Sequence, residues 1–312
     1  MTVSTSRIDC HQHLWPTDFL RVLRERTTLP RLVDDWTLLV AGEAPYSVNP
    51  AAHDVEKRRL QEVTEGSEEV LISLPGALAI EDLPFDEATS LIRVWHESAI
   101  ALGAPYRVWA ATPLVEFDLD GLTAILRNDR IVGLQIPAPS IGDAAALARM
   151  RPVLDVVGAS GKPVLVHPRP LPPAPAEPTS EQTAVESTVV APMSADAQLQ
   201  AAWKTWNEGG ARQHPDLRIG FVALAGLAPL VQQRAAVRGG VPVASDANVF
   251  YETSTYDKRA ISAMARLVGI KMLLHGSDRP YKHPRDPELG RASEHALFAV
   301  NPRAFLSGPA SR

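Results

Sequence analysis

The sequence predicts an α/β protein of one domain, a (β/α)8 TIM barrel spanning residues 1–312. Three observations predict it. Eight short apolar runs alternate with segments of helical periodicity, the pattern of parallel βα units. The length of 312 residues suits one large domain with a sizeable core. The residues with metal-ligand chemistry fall at the carboxyl ends of apolar runs, where such a barrel builds its site.

The first strand carries Ile8-Asp9-Cys10-His11-Gln12-His13. Side chains on a strand alternate with period two, so His11 and His13 point to one face. Trp15 to Asn49, punctuated by Pro16, Pro30 and Pro45, reads as a long loop with short helical pieces that walls the pocket. Asp54–Glu65 is a surface helix with Val55, Leu60 and Val63 as its apolar positions. Glu69–Leu74 is a strand stopped by Pro75-Gly76. Asp86–Leu102 is a helix, Tyr106–Thr112 a strand, Leu119–Arg127 a helix, Ile131–Ile136 a strand and Asp143–Gly158 an Ala-rich helix. Lys162–Val166 is the strand that reaches His167. Residues 168–198 form an insertion loop, because Pro168 to Pro192 is too rich in Pro, Ala, Glu, Ser and Thr to bury a core. The alternation then resumes with a helix at Leu199–Gly209, a strand at Arg218–Leu224 and a helix at Leu227–Arg238. Val249–Thr253 is a strand, Lys258–Val268 a helix, Met272–Leu274 the last strand and Pro287–Val300 a closing helix.

Composition excludes several classes. A formal net charge of -5 with mixed signs offers no basic face to nucleic acid. No apolar run approaches the length of a membrane span, and Met1–Arg7 is too polar to open a signal peptide. The single Cys10 permits no internal disulfide, which fits a reducing cytoplasm. Cys10 reads as a small buried hydrophobe rather than a nucleophile.

Three nitrogen ligands and one oxygen ligand are on offer. His11 and His13 end the first strand, His167 ends the fifth, and the run Leu274-His275-Gly276-Ser277-Asp278 ends the eighth near an aspartate. Imidazoles and a carboxylate converging on one point suit a divalent metal. Asp9-Cys10-His11-Gln12-His13, His167-Pro168, the run from His214 to Ile219, His275-Gly276-Ser277-Asp278-Arg279-Pro280 and Asn301-Pro302-Arg303-Ala304-Phe305-Leu306 together resemble the amidohydrolase superfamily. The resembling branch is the amidohydrolase-related one, which includes aminocarboxymuconate semialdehyde decarboxylase. The resemblance implies metal ligands at His11, His13, His167 and Asp278, one divalent ion (Zn2+ first, Mn2+ second), a small-molecule substrate and a homo-oligomer. It also implies a histidine at the end of strand six. There the sequence has Ala223 within Phe221-Val222-Ala223-Leu224-Ala225-Gly226, and His214 precedes that strand, at the opposite mouth.

With no strand-six histidine, the sequence reading favours hydrolysis of a small carboxylate, lactone or amide by a metal-activated water, with Asp278 as general base. The alternatives are nonoxidative decarboxylation of an aromatic or muconate-type acid, which needs a proton delivered to carbon, and a barrel that binds a ligand without turnover. Arg169, Arg279, Trp15 and His283 are the candidate substrate contacts, the arginines either for a carboxylate or in structural ion pairs, and Trp15 as a pocket wall or a packed loop anchor. Glu252 at the end of strand seven is either a partner for a ligand histidine or a buried structural charge. His275 is expected to face the helices; His53 is a weaker pocket candidate; His96 and His295 fall within helices.

Overall fold

Residues 7–41, 44–169, 194–239, 246–282 and 287–308 are described by this computed structural model. After its first residue, strand β1 (Arg7–Gln12) is buried throughout, as a strand enclosed by parallel neighbours and helices must be. Between it and the next barrel strand lie helix α1 (Thr17–Glu25), a small antiparallel sheet of β2 (Arg31–Val33), β3 (Thr37–Leu39) and β4 (Tyr46–Ser47), and helix α2 (Val55–Glu65). The barrel continues with β5 (Ser67–Ile72), α3 (Phe85–Ala101), β6 (Tyr106–Ala110), α4 (Leu119–Leu126), β7 (Ile131–Pro137), α5 (Ala144–Ser160) and β8 (Val164–His167). It is completed by α6 (Ala195–Thr205), which runs through a π turn into α7 (Ala211–Gln213), then β9 (Ile219–Phe221), α8 (Ala228–Val237), β10 (Val249–Glu252), α9 (Lys258–Val268) and β11 (Leu273–Leu274). The closing helix is α10 (Arg291–His295), joined through a second π turn to α11 (Asn301–Ser307).

The large sheet has eight strands in the order β1-β5-β6-β7-β8-β9-β10-β11, paired in parallel. It closes where β1 meets the segment after β11. A parallel bridge joins Gln12 to Arg279, the Cys10 N–H donates to the His275 carbonyl (2.9 Å), and the Asp278 N–H donates to the His11 carbonyl (2.9 Å). This is the TIM barrel the alternation predicts.

Phe305 of α11 fills the barrel's interior from the other end. Its ring lies 5.9 Å from Trp109 on β6 and 5.1 Å from Phe250 on β10. A side chain that touches strands so far apart in the sheet order must sit between them. Gly220 on β9 makes room: a Cβ there would come within 2.8 Å of the Phe305 ring. Trp109 is tied by its indole N–H to the Cys10 carbonyl (3.0 Å).

Three expectations need correction. The stretch after β1 is not an irregular loop: Phe19, Leu20 and Leu23 bury one face of α1, and Asp34 and Asp35 take left-handed φ of 46° and 64° to turn β2 into β3. Helix formation also reaches into the predicted insertion, because the Ser194 hydroxyl caps α6 by accepting the Ala197 N–H (3.2 Å). The rest of that insertion, residues 170–193, lies outside the described residues. Strand six stops at Phe221, where the apolar run turns into a left-handed segment with φ of 47°, 51°, 56°, 57° and 61° at Ala223, Leu224, Ala225, Gly226 and Leu227. Helix α2 exists as predicted, with Arg58 and Glu62 buried and Leu60 and Val63 exposed. No helix among the described residues is long and apolar enough to cross a membrane.

Candidate metal centre

His11, His13, His167 and Asp278 come together at the carboxyl-end mouth of the barrel, one ligand atom of each lying within 4.8 Å of the others. His11 Nε2 and His13 Nε2 are 3.1 Å apart, and Asp278 Oδ1 is 3.4 Å from His13 Nε2 and 3.9 Å from His11 Nε2. The three imidazole centroids are separated by 4.9, 4.9 and 5.4 Å, all at steep interplanar angles. His11 on β1 and His13 just after it are each 1% exposed, so these nitrogens have almost no water to turn to.

The other ring nitrogens decide what the cluster can hold. His13 Nδ1 lies 3.2 Å from the Ser73 carbonyl, and His167 Nδ1 lies 2.5 Å from the Pro168 carbonyl. His11 Nδ1 faces Glu252 Oε2 at 3.4 Å. A carbonyl can only accept, so the Nδ1 atoms of His13 and His167 carry the protons and their Nε2 atoms present lone pairs. Lone pairs converging with a carboxylate are the donor set of a divalent ion, and outer acceptors on Nδ1 are how ligand imidazoles are held. The residues fit the metal.

Electrostatics agree with this assignment. Burial, reinforced by the neighbouring imidazoles, pushes the His167 pKa well below the usual histidine value. Burial likewise lowers that of His13. Burial opposes charge on His11 as well, but the facing Glu252 and the Asp278 carboxylate outweigh it and raise its pKa. Asp278 is driven down to about 2: burial works against ionisation, and the closeness of His13 and the other imidazoles overcomes it.

Glu252, the acid at the end of β10, faces a ligand histidine and is fully buried. Its Oε2 accepts from the Ser254 hydroxyl (2.7 Å) and the Ala223 N–H (3.3 Å), and its Oε1 accepts from the Ser254 N–H. Gly276 gives it room, since a Cβ there would fall 2.3 Å from Glu252 Oε1.

A cavity of about 690 Å³ opens over the cluster, walled by Pro75, Ala77, Leu199, Val222 and Ala223, with Tyr46 and Tyr281 at its side. The Tyr281 ring stands 5.3 Å from that of His13. Arg169 lines the cavity and forms an ion pair with Asp82. Gln198 pins the Arg169 backbone, accepting its N–H (3.1 Å) and donating to its carbonyl (2.7 Å).

Other candidates go elsewhere. Arg279 points away from the cavity into Glu62 (3.3 Å) and Glu65 (2.6 Å). Those carboxylates hold it more firmly than a transient ligand would. Trp15 is fully buried, stacked on His53 at 4.8 Å, and is a packing anchor rather than a pocket wall. His53 is in turn enclosed by Trp36, and burial lowers its pKa to about 3. His275 turns outward to Phe298 (4.6 Å) and Asp9 (3.7 Å), and His214 sits beside Asp155 (3.4 Å). His283 lies outside the described residues. Sequence reasoning did not find Tyr46, Ser73 or Gly76. Gly76 had a signal in Pro75-Gly76: a Cβ there would lie 3.0 Å from the Pro168 carbonyl and 3.2 Å from His167 Nδ1.

No protein-family model matches the sequence, and no curated protein matches it. Several solved structures do match in fold. The 5-carboxyvanillate decarboxylase of Sphingomonas paucimobilis superposes with a TM-score of 0.69 at 16% identity, over 97% of this chain and 99% of that one. The 2,6-dihydroxybenzoate decarboxylase from Rhizobium gives 0.67 at 17% identity, over 96% and 98%. A dihydroxybenzoic acid decarboxylase from Polaromonas sp. JS666, solved with manganese and the inhibitor 2-nitroresorcinol, gives 0.67 at 15% identity, over 96% of each chain. At such identities the likeness is one of fold, and it is the fold that the resemblance to the amidohydrolase superfamily implied. These neighbours are decarboxylases; the hydrolysis favoured by the sequence reading has no counterpart among the three.

Proposed function

We propose that the protein is a metal-dependent carboxy-lyase of the amidohydrolase superfamily that removes carbon dioxide, without oxidation, from a small aromatic acid. The observation that carries this reading is the meeting of three imidazoles and one carboxylate beneath a largely apolar cavity. The fold is shared over almost the whole chain with decarboxylases of substituted benzoates. His11, His13, His167 and Asp278 hold one divalent ion, manganese or zinc. When bound, that ion supplies positive charge against the oxygens of the acid and the negative charge that builds up as the carbon–carbon bond breaks.

The chain's own side chains supply the rest. Pro75, Ala77, Leu199, Val222 and Ala223 give a planar ring apolar walls and exclude water from it. Arg169, already paired with Asp82, offers its remaining N–H groups to a substrate oxygen. Ala223 has no proton to give, so acid–base work falls to Asp278. Ionised in the resting site, its carboxylate takes a proton from an acidic hydroxyl of the substrate and returns it to the ring carbon that bears the carboxylate. The carbon–carbon bond then breaks, its electron pair restores the ring, and carbon dioxide leaves.

The test is turnover of hydroxybenzoates by manganese- or zinc-loaded protein in heavy water. Release of carbon dioxide with one deuterium at the vacated ring carbon is expected. Turnover of esters, lactones or amides with no carbon dioxide from any acid would return the reading to hydrolysis. Binding without turnover of either class would leave a ligand-binding barrel.

A further inference from the structure

Helix α2 buries two of its charged side chains and exposes two of its aliphatic ones: Arg58 and Glu62 are 4% and 0% exposed, Leu60 and Val63 69% and 65%. Taking an arginine and a glutamate out of water is costly until pairing offsets it, whereas burying Leu60 and Val63 would have been favourable. The helix is therefore oriented by something other than hydrophobic burial. Arg58 and Glu62, one turn apart, meet Gln12, the residue between two metal-ligand histidines.

The Gln12 amide is saturated. Its NH2 donates to Asp9 Oδ2 (2.8 Å) and Glu62 Oε1 (3.1 Å), and its oxygen accepts from Arg58 Nη2. Arg58 Nη1 donates to the carbonyl of His13 itself (3.2 Å). Glu62 Oε1 also accepts from Arg279 Nη1 (3.3 Å), and Arg279 follows Asp278 directly. The Arg279 carbonyl accepts the His13 N–H (2.6 Å), and Asp9 Oδ1 accepts the N–H groups of His11 and Ser277, both at 3.1 Å. Thus one charged cluster grips the backbone on each side of His11, His13 and Asp278, while Gln12, Arg58, Glu62 and Arg279 stay out of the cavity.

We propose that Arg58, Glu62 and Arg279 are positioning residues for the metal centre, fixing β1 against the Asp278 loop so that three ligands from opposite ends of the chain meet at coordination distance. The inference rests on the metal reading above. Its test uses full-length protein stripped of metal and titrated with Co2+, followed by visible absorption, with thermal melting of the metal-free forms alongside. Wild type is expected to bind one Co2+ per chain. Glu62→Gln and the double variant Arg58→Met/Glu62→Met are expected to bind it at least about 10-fold more weakly, with shifted absorption bands. The double variant removes both charges together and is expected to melt near wild type without metal. Glu65→Gln, which alters the carboxylate facing Arg279 Nη2 but leaves Glu62 on Nη1, is expected to behave as wild type.

Wild-type affinity and spectrum in the Glu62 variants overturn the inference. So does a loss of affinity that only parallels a fall in metal-free melting temperature. If wild type itself binds no Co2+, the metal reading fails and takes this inference with it.

Discussion

His96 shows how one side chain can set a pH dependence. It is buried on α3, its Nε2 accepts the Ala111 N–H (3.0 Å), and burial lowers its pKa to about 4. The unfolded chain takes up a proton near pH 6.5 that the native state refuses. Stability is therefore complete above that pH and falls as pH drops toward 4, by about 1.4 kcal/mol per pH unit at most for this group. His53 acts in the same direction. Urea midpoints of metal-free protein from pH 7.5 to 4.5 should show the fall, and His96→Gln, whose amide oxygen can still accept, should flatten it. At the site, His11→Ala and Asp278→Ala should each abolish tight metal binding, read by elemental analysis after dialysis, while both proteins remain folded. The positions of His11 and His13 were legible because period two is a local rule, and His167 and Asp278 because each follows an apolar run. Arg279 and Trp15 could not be decided between substrate and structure for one common reason. Their partners Glu62, Glu65 and His53 lie far away along the chain, and no local pattern announces them.

Among the elements, the left-handed run at 223–227 has a measurable cost. L-residues lose roughly 1–2 kcal/mol each in that conformation, and only Gly226 of the five escapes it. Ala225→Gly should stabilise the fold by up to about 1 kcal/mol in urea unfolding, as relief of strain outweighs the added freedom of the unfolded chain. Gly226→Ala should destabilise by more than that, because its Cβ would come within 2.6 Å of the Asp196 carbonyl. The over-long strand predicted at Arg218–Leu224 has its explanation here. An apolar run reads as a strand whether or not the backbone stays extended. Helix α2 is the parallel case: its pattern gave the helix but not the face that it buries. Polar groups waiting beneath it, Gln12 above all, decide which side is buried.

For the whole molecule, alternation of strands and helices was enough to give the barrel, since eight parallel units leave few other ways to cover both faces of a sheet. The α11 plug was not legible as one, although its sequence stood out. Phe305→Ala should cost about 3–5 kcal/mol of stability, measured by denaturant, by emptying the space above Gly220 between Trp109 and Phe250. The ring of strands is joined end to end where β1 meets the residues after the two-residue β11, through little more than one bridge and a few backbone hydrogen bonds. A cation held by His13 on one margin and Asp278 on the other would be a removable staple across that seam. Chelation should thus be felt first as faster amide hydrogen exchange at Cys10 and Asp278, with the far wall of the cylinder still protected. Metal loading in the cell would then decide both whether the protein works and how long it resists proteolysis.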